Sequence, residues 1–296
     1  MDGVLVIDKP QGLTSHDVVA AARRVLREKR IGHTGTLDPM ATGVLPLACG
    51  RATRLVRFLA ASDKDYDASI VLGLTTDTYD TTGAETSRTD VRPDDAALRR
   101  AIQSLSGSYL QVPPAYSAKK VGGRRAYDLA RRAEAVELAP VPVTVTRATL
   151  EAFDGEVARV TLTCSAGFYV RAFAHALGEL VGTGACLAAL RRTRSGEFDE
   201  SQAVTLGALI EEPHPAELIV PMARLLSGLP SVRLDPAQRI AVGRGQELMD
   251  AAVEPGAAAP PAAAGWVRLL DTTGDLVALA TPGRRPGSLH PAIVLT

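Results

Sequence analysis

Gly32-His33-Thr34-Gly35-Thr36-Leu37-Asp38-Pro39-Met40-Ala41-Thr42-Gly43-Val44-Leu45-Pro46 is the most informative stretch of this 296-residue chain. Glycines on both sides let backbone pass close to a ligand. Pro39 fixes the chain just after the acid and biases Asp38 away from helix. One carboxylate is thereby held on a rigid loop among apolar neighbours, which suits a nucleophile or a base. The same local pattern also describes an aspartate that caps a turn. His33 has no second His or Cys at ligand spacing, so no metal site is expected. With Gly32, Gly35, Gly43 and Gly50 in it, the segment 31–50 is expected to be mostly loop.

Working outward, residues 4–7 read as a short buried strand that stops at the turn Lys9-Pro10-Gln11-Gly12. Thr14 and Asp17 have capping-box spacing, and a helix is expected to about Arg30 with Val18, Ala22 and Val25 on one face. Residues 66–74 alternate like a strand. Pro93 and Asp94 open a second helix, with Ala97, Leu98, Ala101, Ile102 and Leu105 on one face and Gly107 at its close. Residues 141–150 and 157–164 read as a β pair, 168–181 as a helix, and 187–194 as a short apolar-then-basic element. From Ser231 short strands and turns replace long helices, and residues 251–265 form an Ala/Pro/Gly-rich insertion. The predicted boundary lies near 225–232, giving domains 1–230 and 231–296. Periodicity alone gives mixed α and β.

Hydrophobic residues make up 46% and charged residues 22%, as in a packed globular protein; aromatics are only 4%, so aliphatic side chains must fill the core. Lys+Arg and Asp+Glu are both 33, and this balance excludes polyanion binding through overall charge. Affinity for nucleic acid must come from local clusters. One is Arg51, Arg54 and Arg57. Another is the segment 119–132, where Lys119, Lys120, Arg124, Arg125, Arg131 and Arg132 adjoin Tyr116 and Tyr127. Interleaved basic and aromatic residues suit RNA; a solvated helix face fits the same composition. Cys49, Cys164 and Cys186 are scattered in apolar stretches, which predicts buried free thiols rather than disulfides or a zinc site. The N-terminus lacks a signal peptide's regions, and no apolar run reaches about 18 residues. A reducing cytoplasm fits all of this.

Two more segments carry chemistry. In Lys64-Asp65-Tyr66 the Tyr could stack on a base and shuttle a proton, or simply pack at a strand start. In Gly167-Phe168-Tyr169-Val170-Arg171, Tyr169 and Arg171 would point the same way on an extended stretch. An Arg beside a carboxylate keeps it ionised; a surface Arg is the plainer reading. Asp77 and Asp80 lack an EF-hand's ligand periodicity and read as turn residues whose side chains bond backbone.

These segments, followed by Tyr116-Ser117-Ala118-Lys119-Lys120, Arg125-Ala126-Tyr127 and Leu190-Arg191-Arg192 in their places along the chain, occur in the order seen in the TruB family of bacterial tRNA pseudouridine synthases. The chain resembles that family over essentially its whole length. The resemblance implies an α+β pseudouridine synthase fold with a mixed, mostly antiparallel central sheet flanked by helices. It also implies a small C-terminal β-barrel, PUA-like, closed near Gly287-Ser288-Leu289-His290-Pro291, although the 251–265 insertion interrupts it.

The implied reaction turns uridine 55 of the tRNA T loop into pseudouridine, with base flipping, no cofactor and an aspartate nucleophile that attacks C1′ or, by another route, assists loss of uracil without forming that bond. By the same resemblance Asp38 is the catalytic aspartate. Tyr66 stacks on the target base and is a candidate proton acceptor, and Arg171 pairs with the catalytic acid. Tyr169 and Leu190 line the uridine pocket. His33 fills space left by everted bases, and Asp80 is an acid on the RNA-facing side. Lys9, Lys120 and Arg125 bind substrate, and residues 112–140 form a thumb that closes on the T stem-loop. The implied partner is tRNA alone, for a monomer with no membrane and no obligate protein partner. Two other readings compete: a guide-RNA-dependent synthase of the dyskerin type, which works with partner proteins, and a non-catalytic RNA-binding protein. The intact set Asp38, Tyr66 and Arg171 argues against the latter.

Overall fold

The computed structural model describes residues 1–117, 119–121, 124–125, 138–257 and 263–295, with only the backbone at 120, 121, 124 and 125. The chain forms two compact units. One comprises Met1–Pro39, Gly43–Ser62 and Ser195–Thr296; the other comprises Met40–Thr42 and Asp63–Arg194.

The first unit is organised on the strand Gly3–Lys9, which pairs antiparallel with Thr42–Cys49 from Gly3↔Cys49 to Lys9↔Gly43. Short strands Val204–Thr205 (parallel) and Val220–Pro221 (antiparallel) also pair with it. Val4–Ile7 and Val44–Cys49 are almost wholly buried, as a strand covered on both faces must be. Helix Ser15–Leu26 starts with the expected box, in which Thr14 accepts from the Asp17 N–H and the Asp17 side chain accepts from the Thr14 N–H. It ends four residues early because Arg27 turns left-handed at φ 51°. Its buried face is Val18, Val19, Ala22 and Leu26; Val25 is only half-buried.

The segment 31–50, expected as mostly loop, contains two paired strands, Ile31–His33 and Thr42–Cys49. Glycine and Pro46 argue locally against strand, but burial of Val44, Leu45, Leu47 and Ala48 decides the outcome.

The C-terminal part of this unit is a four-stranded sheet in the order Ser231–Arg233, Val267–Leu270, Leu276–Pro282, Leu289–Val294, with one parallel and two antiparallel pairs. Helix Pro236–Gly243, boxed by Asp235 and Gln238, belongs to it. Isolated bridges Ser231↔Glu254 and Leu248↔Leu289 extend the pairing. This is what occupies the place where a small barrel was expected; of the insertion, residues 258–262 lie outside the described ones.

Leu270, Leu276, Leu279, Ile293 and Leu295 share one apolar core with Val4, Val6, Val44, Leu55 and Phe58. A second core, with Leu234, Val242, Leu269 and Val277, lies within the C-terminal segment. The Arg51, Arg54 and Arg57 cluster serves this join. Arg51 Nη1 donates to the Leu295 carbonyl at 2.7 Å, while its Nε and Nη2 pair with Asp2. Arg54 donates to the Val294 carbonyl. Arg57 lies 4.6 Å from the Phe58 ring centroid and 4.9 Å from that of Trp266, at cation–π range.

The second unit is an antiparallel stack. Lys64–Leu72 pairs with Val157–Cys164, which pairs with Val141–Phe153, which pairs with Gly107–Gln111. Ala185–Ser195 lies on the other side of Lys64–Leu72. The pattern as a whole is therefore mixed and mostly antiparallel, with helices, as the family resemblance implies. Helix Asp95–Ser104 buries Leu98, Ala101 and Ile102. The three cysteines are buried free thiols, and burial pushes them up to about 11 for Cys49, 12 for Cys164 and 11 for Cys186.

Helix Val170–Leu180 runs into Ala185–Ser195 so closely that a Cβ on Gly178 would stand 2.1 Å from the Ala185 nitrogen. Backbone atoms cannot yield as a side-chain end can. Gly178→Ala should therefore lower unfolding free energy by about 1–3 kcal/mol, read by denaturant melts, despite alanine's better helix propensity.

Candidate active site

Asp38 is half-buried, on a loop whose neighbours on both sides are fastened. The Ser15 hydroxyl accepts from the Leu37 N–H at 2.8 Å and donates to the Leu37 carbonyl at 3.1 Å. The Pro39 carbonyl accepts from the Gly12 N–H at 2.8 Å and from the Lys9 ammonium at 3.4 Å. Thr34 is tied to the Pro46 carbonyl through its N–H at 3.0 Å. Free rotation of the acid's backbone is thus removed before any ligand arrives, which is what a reacting carboxylate needs.

Lys9, expected to bind substrate, is fully buried. Its ammonium also donates to the carbonyls of Pro10 (2.8 Å) and Leu13 (2.7 Å). A buried cation stays charged only when its donors are satisfied, and here three carbonyls do so. Its geometry is that of a brace for the loop. His33 is half-buried on its short strand opposite Leu47.

In the second unit Tyr66 is buried on Lys64–Leu72, opposite Leu162. Leu190 is buried on Ala185–Ser195, and its carbonyl accepts from the Thr42 hydroxyl at 3.5 Å. Tyr169 and Arg171 do not lie on one extended stretch. The helix begins at Val170, so Tyr169 is its N-cap residue and Arg171 lies in its first turn. The buried Gln111 amide holds Tyr169 in place, accepting from its N–H at 2.8 Å and donating to its carbonyl at 3.1 Å.

Arg171 is buried. It donates to the carbonyls of Thr78 (2.9 Å) and Tyr116 (2.8 Å), and its Nη1 stands 3.6 Å from Asp80 Oδ2. Asp80 is buried too, and its Oδ1 accepts from the Thr78 hydroxyl and from both the N–H and the hydroxyl of Thr82. Asp77 Oδ1 accepts from the Ala84 N–H. Both acids therefore organise the turn, as the sequence suggests. Buried ion pairs of this kind fix an arrangement more than they stabilise.

Lys64 is buried beside Arg192. Desolvation, and then repulsion from Arg192, pull its ammonium down to about 8. Burial raises Asp65, but hydrogen bonds from Arg194 and Thr163 outweigh it and hold the carboxyl below its usual range. The Arg194 fork is bidentate, at 2.8 and 2.9 Å.

Lys120 and Arg125 pair as backbone partners in a two-stranded ladder; their side chains, and residues 126–137 of the expected thumb, lie outside the described residues. Ser15, Gln111, Tyr79 and His175 also carry structure at the site. Of this, only the four-residue spacing of Arg171 and His175 was legible in the sequence. Among the described residues no cluster of three or more His, Cys, Asp or Glu side chains is placed to hold a metal ion. Among them, too, no helix is long and apolar enough to cross a membrane.

Comparison with known proteins identifies the family. The model of the TruB family pseudouridylate synthase N-terminal domain matches residues 23–170, and that of the tRNA pseudouridylate synthase B C-terminal domain matches residues 171–227. Relatives named tRNA pseudouridine synthase B include one from Solibacter usitatus, 45% identical over 100% of both chains. Another, from Thermobifida fusca, is 41% identical over 99% of this chain and 98% of its own. Among solved structures, the archaeal box H/ACA sRNP Nop10–Cbf5 complex matches with a TM-score of 0.74 at 26% identity, over 99% of this chain and 86% of that one. A Cbf5–Nop10–Gar1 complex matches at 0.76, also with 26% identity, over 99% and 85%. The chain belongs to the TruB family of pseudouridylate synthases, and it has the pseudouridine synthase fold and is an isomerase.

Two outcomes follow from the buried cations. Lys9→Met should cost about 2–4 kcal/mol of unfolding free energy, since three carbonyls lose a charged donor. For Lys64, the lowered value means that between pH 8 and 10.5 the unfolded chain holds a proton the folded one has released. Stability from this group therefore rises with pH across that window, by at most about 3 kcal/mol. The buried thiols act oppositely above pH 9, so the comparison is with Lys64→Met. Wild type should gain on that variant as pH rises, and a constant gap in chemical melts would contradict it.

Proposed function

We propose that the chain converts uridine 55 in the T loop of tRNA to pseudouridine, acting in the cytoplasm as a monomer and without a cofactor. The observation that carries this reading is the fastening of Leu37 and Pro39 on either side of Asp38. The names of its relatives supply the substrate class.

The target base must leave the folded loop, at a cost of a few kcal/mol. Stacking on Tyr66 and contacts to phosphates offset that cost. Tyr169 and Leu190 line the uridine pocket, Asp80 faces the RNA, and His33 fills space that the everted bases leave. Arg171 supplies positive charge. The ionised Asp38 attacks C1′ of the ribose, as a retaining glycosidase carboxylate does. The C1′–N1 bond breaks and uracil departs with the electron pair. The base then rotates, C5 bonds to C1′ as the aspartyl ester breaks and the Asp38 carboxylate is restored, the C5 proton is transferred to Tyr66 as the acceptor, and N1 takes up a proton in its place. Substrate and product have the same atoms and oxidation state, so no redox partner enters. Lys119, Lys120 and Arg125 of the thumb meet the stem's phosphates. The Cbf5 chains are found with Nop10 and Gar1; this chain is proposed to carry its own thumb over residues 112–140 and to act without a protein partner.

Asp38→Asn should abolish release of tritium from C5-labelled uridine tRNA, by about 10⁴-fold or more, while tRNA binding stays nearly unchanged. Substantial turnover in that variant on a T-arm stem-loop would remove Asp38 from the chemistry.

A further inference from the structure

One face of helix Val170–Leu180 grips the turn at 78–82 in two places. Arg171 meets the Thr78 carbonyl and Asp80. His175, one helical turn further on, stacks on Tyr79 with ring centroids 4.0 Å apart and planes 5° apart. Residues four apart share a helix face, so consecutive turn residues are met by a guanidinium and an imidazole from the same side.

Tyr79 needs such a hold. Its φ is 63°, a left-handed conformation rare for a bulky side chain, and it persists only where the surroundings over-determine it. The backbone contributes part of the constraint: the Leu187 N–H donates to the Tyr79 carbonyl, and the Thr81 N–H donates to the Leu187 carbonyl, both at 3.0 Å. His175 Nδ1 is buried with no hydrogen-bond partner among the described residues. Ring stacking is therefore the contact that ties this side chain to the turn.

We propose that the Tyr79–His175 stack is a positioning clamp. It holds Tyr79 left-handed and so sets the Asp80 carboxylate against Arg171. Relaxing Tyr79 to negative φ would swing the peptide that leads into Asp80, and the 3.6 Å separation would open. This inference rests on Arg171 and Asp80 serving the uridine site proposed above.

The test uses the full chain with a T-arm stem-loop labelled at C5. Tyr79→Ala and His175→Ala should each slow single-turnover tritium release by about tenfold or more, with RNA Kd within about twofold. The double variant should be no slower than either single one, because the two rings act as one unit. Tyr79→Phe, which keeps the ring, should recover most of the rate. Alanine variants within about twofold of wild type, or a Phe variant as slow as the Ala variant, would overturn the clamp. An inactive wild-type chain would instead sink the functional reading. Crystal structures of His175→Ala then judge the clamp alone: a displaced turn supports it, and an unchanged Asp80–Arg171 distance overturns it.

Discussion

A lysine ammonium removed entirely from water sets the terms for the first unit. Lys9 ends the strand Gly3–Lys9, and its three carbonyl partners belong to the turn after that strand, the entry to the first helix, and the loop beside Asp38. Transferring an ammonium out of water is costly unless each donor finds an acceptor. The carbonyls must therefore converge, and their convergence fixes the path from strand to helix to acid. Ser15 completes the arrangement from the helix's first residue. The acid's position is a by-product of solvating a buried cation with protein.

What could be read from sequence was what local physics decides. The Thr14–Asp17 box, the Asp94 cap and the buried faces of two helices need only near neighbours. So does the turn role of Asp77 and Asp80. The order of the chemistry-bearing segments sufficed for the family. The misses are non-local. Thr42–Cys49 looks like a loop until Gly3–Lys9 lies beside it. That Lys9 is fully buried is not legible locally, since one of its acceptors, the Pro39 carbonyl, lies 30 residues away. Tyr169 and Arg171 would point the same way on an extended stretch, yet the helix read over 168–181 starts between them. Nothing local announces that Gln111 holds Tyr169 or that Tyr79 meets His175.

Several charges among the described residues are engaged in internal contacts. Arg194 is locked on Asp65, Arg171 on Asp80, and Arg51 on Asp2 and the Leu295 carbonyl. Arg57 rests on two rings. An electrically neutral enzyme for a polyanion must therefore concentrate its attraction where cations remain exposed. Long-range steering is weak in such a molecule, and short-range fit carries the selectivity.

The contact between Arg51 and Leu295 has a temporal side. Its partners are 244 positions apart, and the core around Val4 and Leu55 is completed by Leu279, Ile293 and Leu295. A ribosome delivers Val4 well before Leu295. The strand Gly3–Lys9 must wait, incompletely covered, until Leu295 has emerged, because closure of so long a loop precedes any reward from the contacts it brings. The nascent protein is thus exposed to aggregation on that strand for as long as the intervening residues take to be made.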